Sequence, residues 1–224
     1  MYQWDFNFLW SYRWLFLHGL GVTVGFTVAI VALGLVIGLS GALAKLSSFA
    51  PLRWLAHAYI EIFRCTPVLV QLVWFYYALP ILSGIEISAI TASILALSLY
   101  GGSFYAEIIR GGIVSIDPGQ PEAAAALGMT PFQSMRRIIL PQALKRMVPP
   151  LMNQSIIQFK NTSLVSVLAV PDLLYQGQIA AHDSYRPLEV YSAVAVAYFL
   201  LLYPLTIIVR QGEKRRAPCV CGRR

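Results

Sequence analysis

Two sets of side chains in this sequence could do chemistry. The first is scattered through apolar surroundings: Gln71, then Asn153, Gln154, Gln158, Lys160, Asn161 and Thr162. An unpaired charge deep in a bilayer costs on the order of 2.5–3.5 kcal/mol on insertion scales, so Lys160 must face protein or water rather than lipid. Asn153 and Lys160 share one helical face, and Gln154, Gln158 and Asn161 form an adjoining stripe. Such groups line a path for a polar solute, or they hydrogen-bond one helix to another. The second set is two acid–base pairs at i, i+3, Glu61 with Arg64 and Glu107 with Arg110. They read as intrahelical ion pairs worth about 0.3–0.5 kcal/mol each, or as braces for the loop that follows the second pair.

No catalytic constellation accompanies them. The sequence has no Gly-Lys pair, hence no G-x-x-x-x-G-K-[ST] phosphate loop, so energy from ATP must arrive through another subunit. His18, His57 and His182 are scattered, and Cys65, Cys219 and Cys221 do not join them in a set of about four zinc ligands. Neither a metal nor a cofactor is expected on this chain.

The elements that carry these residues follow from composition. Of 224 residues, 58% are hydrophobic and 12% charged, with a mean hydropathy of +0.65, which is too apolar for a soluble domain. A formal charge of +7 would raise nucleic-acid binding in a soluble protein. Here the basic residues cluster between apolar runs, so nucleic acid is not implied and a lipid bilayer is. Residues 1–18 alternate aromatics in the manner of an interfacial collar rather than a cleavable signal. About five runs follow that are long enough to cross a membrane: residues 19–44, 54–80, 87–113, 147–170 and 190–209. Pro149 and Pro150 mark the start of the fourth, residues 171–189 read as a polar connection, and residues 212–224 form a basic tail beyond a transmembrane domain of 19–211. An odd number of crossings with the amino terminus outside places Lys45, Arg53, Arg136, Arg137, Lys145, Arg146 and the tail inside, and only Arg13 and Arg186 outside. The fold class is all-α and polytopic.

That orientation puts the 114–141 loop in the cytoplasm, and the loop carries its own signals. Pro121 suits a first helical position, Glu122 follows at the positive end of the helix dipole, and Gly128 is a natural stop. Thr130, Pro131 and Gln133 then read as a cap, a first position and the third member of a capping box. A helix over 121–127 is about 10 Å long and too short to stand alone in water, so it packs on its own chain or seats in a partner.

The spacing of Glu122-Ala123-Ala124, Gly128, Ile138 and Leu140-Pro141 resembles the loop signature of permease subunits in binding-protein-dependent ABC importers. Residues 63–71, 105–112 and 159–164 resemble the polar amino-acid branch of that family, and residues 46–80 look most like its glutamate and aspartate members. The branch usually carries an acidic residue where Asn161 stands. The resemblance implies a type I importer permease fold. It also implies that Pro121, Glu122, Ala123, Ala124, Leu127, Gly128, Ile138, Leu140 and Pro141 form a coupling helix and its surroundings, docked on a separate ATPase subunit that uses ATP and Mg. Further implied partners are a second permease subunit, the same or homologous, an extracytoplasmic solute-binding protein and an amino-acid substrate moved by alternating access. Two other classes compete. A secondary carrier is commonly built from repeated halves, and none is visible. A non-transporting membrane anchor has no need of the polar fourth span.

Overall fold

The structure is a computed structural model and describes residues 4–214. It is helical throughout, with no strand among the described residues. A short 3₁₀ turn, Asn7–Trp10, leads into α1 (Arg13–Leu46), so the last third of the expected collar belongs to the first membrane helix. There follow α2 (Ala50–Cys65), α3 (Val68–Ser83), α4 (Ala89–Val114), α5 (Gly119–Ala126), α6 (Pro131–Leu168), α7 (Leu173–Ser184) and α8 (Pro187–Lys214). Helices α1, α4 and α8 are each long and apolar enough to cross a bilayer, and two bent pairs bring the number of spans to as many as 5.

Helix α4 is the centre. In its most apolar stretch 56% of residues are buried, against 22% for α1 and 11% for α8, so α4 faces protein while the other two offer flanks to lipid. It packs against α1 through small residues: Gly34, Gly38 and Gly41 meet Gly102, Tyr105 and Ala106 in the same order along both helices, which therefore run parallel. A Cβ at Gly38 would come within 2.5 Å of the Tyr105 Cβ and 3.1 Å of the Gly102 carbonyl oxygen. Close approach of this kind is how membrane helices gain van der Waals contact where no hydrophobic force separates helix from lipid. Tyr105 is fully buried, and its hydroxyl pairs with Ser155 of α6 at 2.9 Å. Helix α6 runs antiparallel to α4, placing Gln158 beside Gly101 and Met147 beside Gly112.

Two parallel helices need a return between them, and α2 with α3 supplies it as a bent pair at 107° rather than the single helix expected over residues 54–80. Pro67 causes the break. It has no N–H to give, and its ring forces Thr66 into an extended conformation (φ −103°, ψ 135°). Gln71, expected on a solute path, instead donates from Nε2 to the carbonyls of Phe63 (2.9 Å) and Thr66 (3.0 Å), satisfying the open end of α2.

The fourth span also departs from expectation. Helix α6 begins in the loop at Pro131 and continues into the membrane, so Pro149 and Pro150 lie inside it rather than at its start. Its turn at Met135–Ile139 widens to π-helical geometry just before Pro141, as the turn Trp74–Ala78 does before Pro80. In both places the wider turn accommodates a proline that would otherwise collide with the carbonyl four residues back. The helix tightens to 3₁₀ over Thr162–Leu168 and ends at Ala169 with φ 55°. Residues 171–189 are not a mere connection: Asp172 accepts from Tyr175 N at 2.9 Å and caps α7, which packs between α1 and α8. Helix α8 takes in the first three residues of the expected basic tail, and the rest of it, with Cys219 and Cys221, lies outside the described residues.

The α1–α4 contact yields the first prediction. Gly38→Val forces the two helices apart and lowers the stability of the purified chain by about 1–3 kcal/mol, the usual cost of overpacking. Gly25→Val, on the same helix with nothing within 4 Å of its Cβ position, leaves it unchanged. Thermal unfolding in detergent checks the pair, and equal melting of both variants would contradict the packing account.

Candidate functional site

The loop between α4 and α6 is shaped by local chemistry at every turn. Asp117 Oδ1 accepts from the Gly119 N–H at 2.7 Å, so α5 begins at Gly119 and Pro121 occupies its third position rather than its first. The missing N–H of Pro121 still falls among the unpaired donors of a first turn. At the other end Gly128 adopts φ 76°, with its N–H on the Ala125 carbonyl (2.9 Å) and the Met129 N–H on the Ala124 carbonyl (3.1 Å). This paired closure is a Schellman motif, and it favours a residue without a Cβ at position 128. Thr130 and Gln133 then exchange the two bonds of a capping box.

Sequence reasoning expected Ala123 and Ala124 both to face a partner. Only Ala123 is exposed and free to do so: Ala124 is fully buried and lets α5 lie close on its own chain, while Gln142 of α6 donates to Gln120 across the loop at 3.1 Å. What the loop presents outward is Glu122, which meets no basic side chain among the described residues, with Leu127 (81% exposed) and Phe132 (73% exposed). Ile138 is half-buried, and Leu140 and Pro141 lie exposed on α6 where it leaves the loop. Phe132 is a loop residue that the motif alone did not single out. Its signal was an aromatic directly after a capped proline.

Of the two acid–base pairs, one forms. Arg110 Nη2 lies 2.9 Å from Glu107, and Lys45 at the end of α1 joins the same carboxylate at 2.5 Å. The triad ties α1 to α4 directly above the loop, and Arg146 of α6 reaches the Ser115 carbonyl nearby. Glu61 and Arg64 do not pair. Glu61 lies 3.9 Å from His57, and the Arg64 guanidinium sits over the Phe104 ring at 5.5 Å, where the ring face attracts a cation.

The polar residues of the fourth span separate into two groups. Gln154, Gln158 and Thr162 are buried among helices. Gln158 donates from Nε2 to the Leu97 carbonyl at 2.8 Å and accepts from the half-buried Asn161 at 3.1 Å. Asn153 and Lys160 share the outward face of α6 and are exposed on this single chain.

The described residues thus make a helical body of as many as 5 spans with a short capped helix, α5, set in the loop between α4 and α6, the build expected of a transport permease. The family comparison agrees: the chain belongs to the binding-protein-dependent transport system inner membrane components, which it matches over residues 30–217. It is 39% identical over 214 residues to the glutamine transport system permease protein of Escherichia coli strain K12, covering 95% of this chain and 98% of that one. To the glutamate/aspartate import permease protein of Escherichia coli O6:H1 it is 37% identical over 225 residues, covering 97% and 100%. A solved crystal structure of an amino acid ABC transporter with histidines superposes with a TM-score of 0.90 at 39% identity, covering 96% of this chain and 100% of that one. The chain is accordingly a multi-pass inner-membrane permease of the polar amino-acid ABC importers.

The geometry separates packing from function at Gln158 and Lys160. Gln158→Leu removes the bond to the Leu97 carbonyl, leaves the Asn161 amide without its acceptor, and destabilises the chain by about 1–3 kcal/mol. Lys160→Met, which removes no side-chain hydrogen bond described here, leaves thermal unfolding unchanged. A large loss of stability in Lys160→Met would show that Lys160 also holds the helices together.

Proposed function

We propose that this chain is the membrane subunit that moves a polar amino acid of the glutamine, glutamate and aspartate group into the cytoplasm by alternating access, driven through α5 by a separate ATPase subunit that binds ATP and Mg. The observation that carries this reading is α5 itself. Eight residues are too few for a stable isolated helix, yet this one is closed at both ends and turns Glu122 away from its own chain, with Leu127 just after it and Phe132 at the start of α6 exposed beside it. An acidic and apolar face of that kind is suited to seating in a partner's groove.

The same reading accounts for Lys160. On the single chain it is exposed at the depth of a membrane span, a position that costs on the order of 2.5–3.5 kcal/mol against lipid. A second permease subunit, the same or homologous, covers that face, and Asn153 and Lys160 then border the path between the two. Charge bias supports an amino terminus outside and a cytoplasmic carboxyl terminus, which leaves the far ends of α3 and α4 to meet an extracytoplasmic solute-binding protein. The relatives named for glutamine and for glutamate/aspartate match almost equally, so the proposed substrate group spans both despite the glutamate/aspartate likeness of residues 46–80.

Gly128→Val tests the coupling role. A β-branched residue at φ 76° is strongly disfavoured, so α5 loses its closure, while a Cβ at position 128 meets nothing within 4 Å and the spans insert normally. The expected result is normal membrane abundance with loss of copurifying ATPase and of labelled amino-acid uptake. A full complement of ATPase with undiminished uptake would rule out α5 as the coupling element.

A further inference from the structure

Where α1 turns into α2, on the side of the membrane that carries the loop, there is an open cavity of about 520 Å³. Its wall brings together Lys45, Arg53, His57 and Arg110, with Leu46 and Trp54 at the rim. The charges do not cancel. Lys45 and Arg110 share the single carboxylate of Glu107, which leaves one positive charge over. Arg53 adds a second: its guanidinium reaches only the Ser47 carbonyl, at 3.5 Å, and meets no carboxylate among the described residues. The amino terminus of α2 opens onto the same space through Ala50, and Phe49 before it supplies no side-chain cap. Unpaired N–H groups and a positive helix end therefore add to the two excess cations.

The rim decides what kind of anion fits. Leu46 and Trp54, both lining the cavity, are exposed, Trp54 by 69%. A soluble anion gains nothing from such a border, whereas a phosphate diester attached to acyl chains meets charge in the cavity and apolar surface around it. An indole at the edge of the hydrocarbon region is also a usual interface anchor. Lys45 and Arg110 stand near the ends of α1 and α4, both crossing helices, which sets the cavity at headgroup depth. A basic pocket between membrane helices at that depth recognises lipid phosphate.

We propose that this cavity binds the phosphate headgroup of an anionic membrane lipid, chemically a phosphatidylglycerol, in the leaflet nearest the loop. The lipid ties the α1–α2 turn to the Lys45–Glu107–Arg110 triad and so to the base of the loop. The inference rests on the chain being membrane-embedded. It does not rest on the substrate or on the ATPase, and its test reads lipid rather than uptake.

Purified full-length chain is titrated with phosphatidylglycerol, and bound lipid is counted by native mass spectrometry. The expected result is one tightly retained lipid. Retention weakens about fivefold in Arg53→Gln, the factor equivalent to about 1 kcal/mol per basic residue, and is preserved in Arg53→Lys. Arg13→Gln, near the start of α1, leaves it unchanged. Quenching of Trp54 by brominated phosphatidylglycerol, taken as the difference between the native chain and Trp54→Phe, gives a second readout that needs no change at Arg53. Equal retention in Arg53→Gln, equal retention of phosphatidylethanolamine, displacement by millimolar inorganic phosphate, or no Trp54 quenching would each overturn the proposal, the phosphate result by assigning the cavity to a soluble anion.

Discussion

A backbone carbonyl or amide without a partner costs several kcal/mol inside a bilayer, and prolines open such gaps in this chain at Pro67 and Pro80, with a third at Pro141 where α6 leaves the loop. Two local devices meet them. At Pro67 the helix breaks and Gln71 donates to two of the freed carbonyls. At Pro80 and Pro141 the preceding turn widens so that the helix continues. The same demand explains Gln158, which spends its whole amide on Leu97 and Asn161. Irregular backbone is thus confined to places where protein supplies the missing bonds.

Satisfying those groups leaves α4 as the fixed reference of the molecule. Glycines on α1 let that helix lie against it, Tyr105 reaches through to α6, and Glu107 gathers Lys45 and Arg110 where the helix meets the loop. Helix α5 is held between α4 and α6 by Asp117 at one end and by Gly128 with the Thr130 capping box at the other. Because α6 continues from the loop into the membrane without a break, a push on α5, were a partner to exert one, would reach a single long helix. That continuity is the mechanical basis for reading the loop as a coupling element.

What was legible in the sequence follows the range of the interactions. Gly128, Thr130, Pro131 and Gln133 act on neighbours a few residues away, so their roles could be read directly. The start of α5 was misplaced by two residues because Asp117, four residues before Pro121, supplies the opening bond. Glu61 and Arg64 satisfied the i, i+3 rule, but the rule says nothing about Phe104, which lies on another helix and attracts the guanidinium. Lys45 joined Glu107 across 62 positions of sequence, and no local pattern announces such a partner. Helix α7 was hidden by its polarity: a segment packed between α1 and α8 shows little hydrophobic excess, although Asp172 before two leucines was a cap signal.

What touches the tip of α5 in the working membrane decides whether this helix couples the chain to an ATPase. A photo-reactive residue in place of Leu127, illuminated in membranes that take up amino acid, should form an adduct with an ATPase subunit, and the same residue in place of Ile81, exposed at the far end of α3, should not. Adducts from position 127 only to lipid or to the permease itself, with uptake intact, would contradict the claim that this short helix is where the motor takes hold.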